Sequence, residues 1–308
     1  MSLAFLYAGQ GSQHPGMGAD LYEAYPEFKA VLDGADVEFE LKTVSFTDPD
    51  GVLNQTEYTQ PCMVAFAAGM TAILYGMGIQ PDYAAGLSLG EYSALQAAGV
   101  FTPQQAVSLA AFRGKAMASA AAGMACGMTA VLGLDREKLQ QACDQAADAG
   151  VVEIANYNCP GQLVIGGQKE AVDKAAALAK ELGAKRCMPL KVSGPFHTSL
   201  LRPAGDALRE KFQEITFGPM AFPVLFNCLG REMGPEDTIP ALLEQQVQSS
   251  VHMEDTIRRL EALGVDTVVE IGPGKALSGF VKKTAPSIKT YAVETCADID
   301  ALAAALKG

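Results

Sequence analysis

Gly86-Leu87-Ser88-Leu89-Gly90 is the most informative run in the chain. A serine with a glycine two positions to either side has the pattern of a nucleophile elbow when an apolar run precedes it and a helical pattern follows. The apolar run is Tyr83-Ala84-Ala85, and the helix opens with Glu91-Tyr92-Ser93-Ala94-Leu95. To expose its hydroxyl, such a serine sits on a sharp, strained turn from strand to helix, and glycines remove the Cβ atoms that would collide there. The helix start also presents N–H groups without intrahelical partners, where an oxyanion can be held. A glycine-rich turn with an incidental serine is the plainer alternative.

Working outward from the elbow, strands and helices alternate. Leu3 to Tyr7 reads as a buried strand, followed by a glycine loop through Gly18 and a helix over about Asp20 to Leu32. A further helix covers about Gln60 to Tyr75. The apolar stretch Met63 to Ile79 is marginal for a membrane span, holds three glycines, and reads as a buried core helix. Thr102-Pro103-Gln104-Gln105 is a capping box that starts a helix running to about Ala121. Then the rhythm changes. Met128–Leu134, Arg136–Ala147, Val151–Ala155, Gln162–Gly166, Glu170–Leu182 and Arg186–Val192 read as βαββαβ, the ferredoxin-like unit. A helix from about Thr198, a strand at Pro223–Phe226, helices near Leu242 and Met253, and strands at Val265–Ile271 and Lys289–Val293 complete the chain. The expectation is an α/β fold, mainly a parallel sheet covered on both faces. A large domain of 1–126 and 194–308 is expected to carry an inserted small domain, 127–193.

Composition narrows the function. The 308 residues are 49% hydrophobic and carry a net charge of -12, which argues against nucleic acid and anionic membranes as partners. An acidic partner could dock only on a local basic patch. Seven cysteines, odd in number and without a CxxC pair, fit a reduced, cytoplasmic protein. Three histidines without ligand spacing give no metal site. Two glycine loops fail as nucleotide sites. Gly9-Gln10-Gly11-Ser12-Gln13-His14 lacks the third glycine of the dinucleotide fingerprint, and Gly272-Pro273-Gly274-Lys275 lacks the P-loop spacing. The first can instead bring a backbone N–H beside the elbow.

A serine nucleophile needs a base, and the histidines are His14, His197 and His252. His197 follows Val192-Ser193-Gly194-Pro195-Phe196 in a loop that enters a helix, where catalytic histidines commonly ride, although a helix-capping histidine is an even alternative. Arg113 lies on a largely apolar helix, where a buried cation is costly unless it meets an anion. Lys115 nearby fits the alternative of a solvated helix face.

These motifs together resemble the malonyl-CoA:acyl carrier protein transacylase family along essentially the whole chain. The resemblance runs through Gly9-Gln10-Gly11-Ser12-Gln13, Thr59-Gln60-Pro61, Gly86 to Leu95, Arg113-Gly114 with Met117, Asn156-Tyr157-Asn158 with Gln162, Phe196-His197-Thr198 and Glu270-Ile271-Gly272-Pro273-Gly274. It implies an α/β-hydrolase-like core with a ferredoxin-like insert. It also implies Ser88 as nucleophile, His197 as base, and the backbone N–H groups of Gln10 and Leu89 as the oxyanion hole. Arg113 becomes the clamp on a malonyl carboxylate, with Gln60, Met117 and Phe196 on the substrate, and the main-chain carbonyl of His252 orients His197. Leu87 departs from the histidine common before the nucleophile. Ser250-Val251-His252-Met253 departs from a Pro-Val-Gln-Trp run.

The implied reaction moves malonyl from malonyl-CoA to the phosphopantetheine thiol of acyl carrier protein, for fatty-acid synthesis, with no permanently bound cofactor and a monomeric enzyme. A serine hydrolase or thioesterase, an acyltransferase loading another acyl-CoA, and a carrier-binding scaffold are the alternatives.

Overall fold

The computed structural model describes residues 1–307. In chain order the strands are β1 Leu3–Tyr7, β2 Tyr83–Gly86, β3 Cys126–Leu132, β4 Val152–Cys159, β5 Gln162–Gln168, β6 Arg186–Pro189, β7 Leu225–Phe226, β8 Arg231–Glu232, β9 Val251–His252, β10 Thr267–Ile271 and β11 Lys289–Val293. The chain forms two compact units. One comprises Met1–Gly114, Phe217–Phe226 and the chain from Arg258 on; the other comprises Lys115–Thr216 and Asn227–Ile257.

In the first unit four strands form a wholly parallel sheet in the order β11-β10-β1-β2. All five residues of β1 are buried, as a strand covered on both faces requires. Val224 adds a parallel bridge to Ala84. Helix Thr56–Gly76 is buried at every residue from Thr59 to Thr71, so its all-round apolarity belongs to the core. Among the described residues, no helix is long and apolar enough to cross a membrane. The Gly272-Pro273-Gly274 turn has a structural use. It lets the chain double back so that Glu270, fully buried on β10, accepts the N–H groups of Leu277 and Ser278 at 2.9 and 2.7 Å. These are free donors at the start of helix Ala276–Thr284, and they compensate a buried carboxylate.

In the second unit β3, helix Arg136–Ala146, β4, β5, helix Lys169–Glu181 and β6 follow one another, and the strands lie in the order β6-β3-β5-β4-β9. The neighbours among β3 to β6 are antiparallel, and β9 adds to β4 in parallel. Val131, Leu163, Ile165, Ile154, Leu139 and Val172 form a core between this sheet and its two helices. Besides 127–193, this unit takes in 115–126, 194–216 and 227–257, with β9 in the last of these.

Several boundaries differ from the sequence reading. The helix expected over Asp20–Leu32 is two, Ala19–Ala24 and Pro26–Asp33. Tyr25 between them is extended, because the ring of Pro26 excludes the helical conformation from the residue before it. The strand expected to run to Val192 ends at Pro189, with one further bond to β3 from the Leu190 N–H to the Met128 carbonyl. Helices Leu41–Phe46 and Cys296–Lys307 were not expected. The capping box is as expected: Thr102 Oγ1 accepts the Gln105 N–H and Gln105 Oε1 accepts the Thr102 N–H.

Gly86 marks the tightest point of the elbow. A Cβ there would lie 2.0 Å from the carbonyl carbon of Gly90, backbone against backbone. Gly86→Ala is therefore expected to lower stability by about 3 kcal/mol or more. Gly279→Ala, on a helix with open space around the added methyl, is expected to be neutral or slightly stabilising. Urea midpoints of the two variants check this, and equal midpoints would refute the packing argument.

Candidate active site

Ser88 stands at φ +56°, in the left-handed region that a side chain other than glycine's occupies at a cost of about 1–3 kcal/mol. Three hydrogen bonds hold it there. Leu87 donates its N–H to the carbonyl of Tyr7 at the end of β1 (3.0 Å), Gly90 donates to Leu87 (3.0 Å), and Glu91 donates to Ser88 (3.1 Å). The elbow is thus fixed to the sheet on one side and to helix Gly90–Ala97 on the other.

The loop after β1 packs on the elbow. A Cβ at Gly9 would meet the Leu87 carbonyl oxygen at 2.7 Å, so only glycine lets the loop pass this close. The Ser12 hydroxyl donates to the Gly9 carbonyl, and Gln10 Nε2 donates to Thr56 Oγ1 at 3.1 Å. Gln10 and Leu89, the two expected oxyanion donors, therefore sit on segments in contact.

Arg113 is fully buried. Its Nη1 donates to Gln60 Oε1 at 2.8 Å and its Nη2 to the Ser88 hydroxyl at 3.1 Å, while its guanidinium lies 5.5 Å from the centre of the Tyr92 ring. Burial pulls its pKa down, Tyr92 and Glu91 oppose this, and a guanidinium stays charged at ordinary pH. The solvated-face alternative for Arg113 is excluded. Ser88, Gln60 and Arg113, far apart in sequence, meet in one hydrogen-bonded chain, and a planar fork with donors in two directions suits a carboxylate.

His197, in the second unit, is also buried and also left-handed, at φ +60°. Its Nδ1 donates to the carbonyl of Gln246 at 2.8 Å. In the neutral ring the proton then sits on Nδ1 and the lone pair on Nε2, the arrangement a general base needs. The orienting carbonyl thus belongs to Gln246 and not to His252. Gln246 ends helix Ile239–Gln246, where the last carbonyls lack intrahelical partners and are open to a side-chain donor. His252 is six residues further on, after the chain has left the helix and entered β9. Its carbonyl accepts from Thr256, its ring stacks on Tyr157 with centres 4.9 Å apart, and its Nδ1 meets Asp255 at 3.2 Å. The hydrogen bond from His252, and then Arg136, hold the Asp255 carboxyl down at about 2. The helix expected near Leu242 was the one available signal for Gln246. Met117 and Phe196 are buried in the same unit.

A strained serine beside a buried guanidinium is in keeping with an acyl transferase, and the chain belongs to the family of the acyl transferase domain, whose model matches residues 4–300. Within it, the chain belongs to the malonyl CoA-acyl carrier protein transacylases. The protein of that name from Bacillus subtilis (strain 168) is 42% identical over 294 residues, 94% of this chain and 93% of the relative. The malonyl CoA-acyl carrier protein transacylase of Clostridium perfringens superposes with a TM-score of 0.97 at 38% identity, covering 100% of this chain and 98% of that one. A malonyl-transacylase solved in complex with its type II PKS acyl-carrier protein superposes with a TM-score of 0.95 at 35% identity, over 99% of this chain and 100% of that one.

His14 ties the Gln10 loop down at its far end. Its Nδ1 faces the Pro15 carbonyl at 3.0 Å and its Nε2 faces Glu294, whose other oxygen accepts the Gly274 N–H. Both ring nitrogens meet pure acceptors, so only the doubly protonated ring satisfies both. The Pro15 carbonyl first, and Glu294 second, raise its pKa. A pKa raised by folding gives stability that is complete below about 6.5, the unfolded value, and is lost as pH rises through the folded one. The pair is half exposed, so its worth is at most about 1 kcal/mol. His14→Gln is expected to lower the melting temperature at pH 5.5 and to converge on the unsubstituted protein by pH 9. A difference that grows with pH would refute a charged pair.

Proposed function

We propose that this protein transfers a malonyl group from malonyl-CoA to the phosphopantetheine thiol of acyl carrier protein through a malonyl-serine intermediate, feeding fatty-acid synthesis in the cytoplasm as a monomer. The observation that carries this reading is the buried Arg113 fork, 3.1 Å from the Ser88 hydroxyl. An acyl group attached to Ser88 brings its own substituents to a guanidinium, and a carboxylate is the substituent that gains from it. The malonyl names carried by the relatives support the same choice.

In the proposed reaction Ser88 Oγ attacks the thioester carbonyl carbon and gives its proton to Nε2 of His197. The oxyanion is held by the N–H groups of Gln10 and Leu89. When the tetrahedral intermediate collapses, the carbon–sulfur bond breaks and the CoA sulfur takes the proton. The carrier thiol then attacks malonyl-Ser88 by the same steps, its proton passing through His197 to Ser88. The Gln246 carbonyl keeps His197 in the Nδ1–H tautomer and stabilises the imidazolium, the part an aspartate plays in other serine enzymes. Gln60 fixes the far side of the guanidinium, and Met117 and Phe196 are read as apolar walls for the acyl group.

The same reading takes 1–126 and 194–308 as an α/β-hydrolase-like core and 127–193 as a ferredoxin-like insert. The parallel sheet with its elbow supports the first, and the order β6-β3-β5-β4 within a βαββαβ sequence supports the second.

Intact-mass measurement after mixing with malonyl-CoA tests the proposal. The protein is expected to gain one malonyl group and Ser88→Ala none. Arg113→Ala is expected to lose malonyl transfer by two to four orders of magnitude, since a buried carboxylate without its partner costs about 3–5 kcal/mol, while acetyl loading is retained. Equal loss of both acyl groups would make Arg113 structural.

His197→Gln is expected to lose several orders of magnitude in rate. His252→Gln, removed from the orienting role, is expected to stay within about tenfold, or ~1.4 kcal/mol in barrier. Steady-state kinetics on folded variants decide, and equal losses would return His252 to the reaction.

A further inference from the structure

We propose that Thr56 is a positioning residue for the reaction: by holding the Gln10 side chain it aims the Gln10 N–H at the oxyanion, and the helix turn that carries it also fixes Arg113. The proposal rests on the transferase reading above and names a residue that serves it.

Gln10 stands between Gly9 and Gly11, and Gly11 is at φ +113°, a conformation that favours glycine. Glycine on both sides leaves the peptide that carries the Gln10 N–H free to swing. An oxyanion donor must not swing, since its worth lies in being aimed before the charge develops. The side chain supplies the restraint that the backbone lacks: Gln10 Nε2 donates to Thr56 Oγ1 at 3.1 Å. Thr56 is itself buried, at the first residue of helix Thr56–Gly76, and so makes a firm anchor. A second tie joins the same two segments nearer the surface. Gln13 Nε2 donates to Asn54 Oδ1 at 2.8 Å, and Gln13 Oε1 accepts the Gly11 N–H at 2.7 Å.

The same turn reaches Arg113. Gln60 follows Thr56 by four residues, one turn along the helix on the same face, and its Oε1 accepts from Arg113 Nη1 at 2.8 Å. The backbone adds a closer contact. A Cβ on Gly114 would lie 2.8 Å from the Thr56 carbonyl oxygen and 2.9 Å from the Glu57 Cα, so the helix that carries Arg113 passes this turn at a distance only glycine permits. One turn of helix thus refers the oxyanion donor and the carboxylate clamp to a common frame. A malonyl ester needs such a frame, because a single methylene joins its reacting carbonyl to its carboxylate, and a small misplacement of either group costs rate.

The test uses three substitutions. Thr56→Val keeps the shape and removes the acceptor, Thr56→Ser keeps the acceptor, and Gln10→Leu removes the side-chain donor while leaving the backbone N–H. Loading of Ser88 from malonyl-CoA and from acetyl-CoA is followed by intact mass, with a melting temperature for each variant. Thr56→Val is expected to lower the maximal loading rate about tenfold for both acyl groups, with the half-saturating concentrations held, because the oxyanion forms in both reactions. Gln10→Leu should match it, the double variant should lose no more than either single one, and Thr56→Ser should stay within about twofold of the unsubstituted protein. Should Thr56→Val fail to fold, Gln10→Leu alone decides, on the same equal loss for both acyl groups. A loss confined to malonyl would make Thr56 part of the Arg113 packing only, additive losses would separate Thr56 from Gln10, and unchanged rates would show the anchor to be idle; each overturns the proposal. Failure of the unsubstituted protein to take up malonyl would instead overturn the transferase reading itself.

Discussion

The backbone of Tyr7 is the point on which the first unit depends. It sits at the end of the central strand, paired with Gly86 on one side and Ile271 on the other, and its carbonyl takes the Leu87 N–H. That bond turns the chain out of the sheet one residue before Ser88 and, together with those from Gly90 to Leu87 and from Glu91 to Ser88, holds the left-handed conformation of the nucleophile. Two side chains are excluded to make it possible: a Cβ on Gly86 would overlap Gly90, and one on Gly9 would overlap the Leu87 carbonyl. The strain at Ser88 is stable because sheet, loop and helix all specify it at once.

Charge is placed by the same economy of backbone dipoles. Glu270 is buried whole and is held by two N–H groups at a helix start. His197 is oriented by a carbonyl at a helix end, which is the opposite pole. No second buried carboxylate is then needed to hold the histidine, and none has to be desolvated. Arg113 is the exception, a whole guanidinium inside the first unit with an amide, a hydroxyl and an aromatic ring around it and the buried Glu91 acting on its charge. Such a site is expensive to build, and a substrate that brings its own negative charge gives it a use.

Much of this was legible in the residues. The elbow, its glycines, the capping box at Thr102 and the βαββαβ rhythm are local patterns, fixed by sterics and by periodicities of two and 3.6 residues. The break at Tyr25 was legible too, since proline restricts the residue before it, but the apolar spacing on either side concealed it. The orienting carbonyl was not. Every residue has a carbonyl, so no side chain at Gln246 announces the role, and an offset of six residues to His252 cannot be detected where side-chain identity carries no information.

By itself, then, the amino-acid sequence determined the turn at Ser88, the strands and helices around it, and the chemical types available: a hydroxyl, an imidazole and a guanidinium. Which of these groups meet depends on the packing of distant elements. Gln60, Ser88 and Arg113 lie on a helix, a turn and a second helix, and their hydrogen bonds exist because the parallel sheet and its covering helices bring those elements together. The tautomer of His197 was likewise decided by where a helix happens to end. Local conformation follows from short-range sterics that a sequence records directly, whereas contacts between distant residues follow from packing, which depends on the whole chain at once.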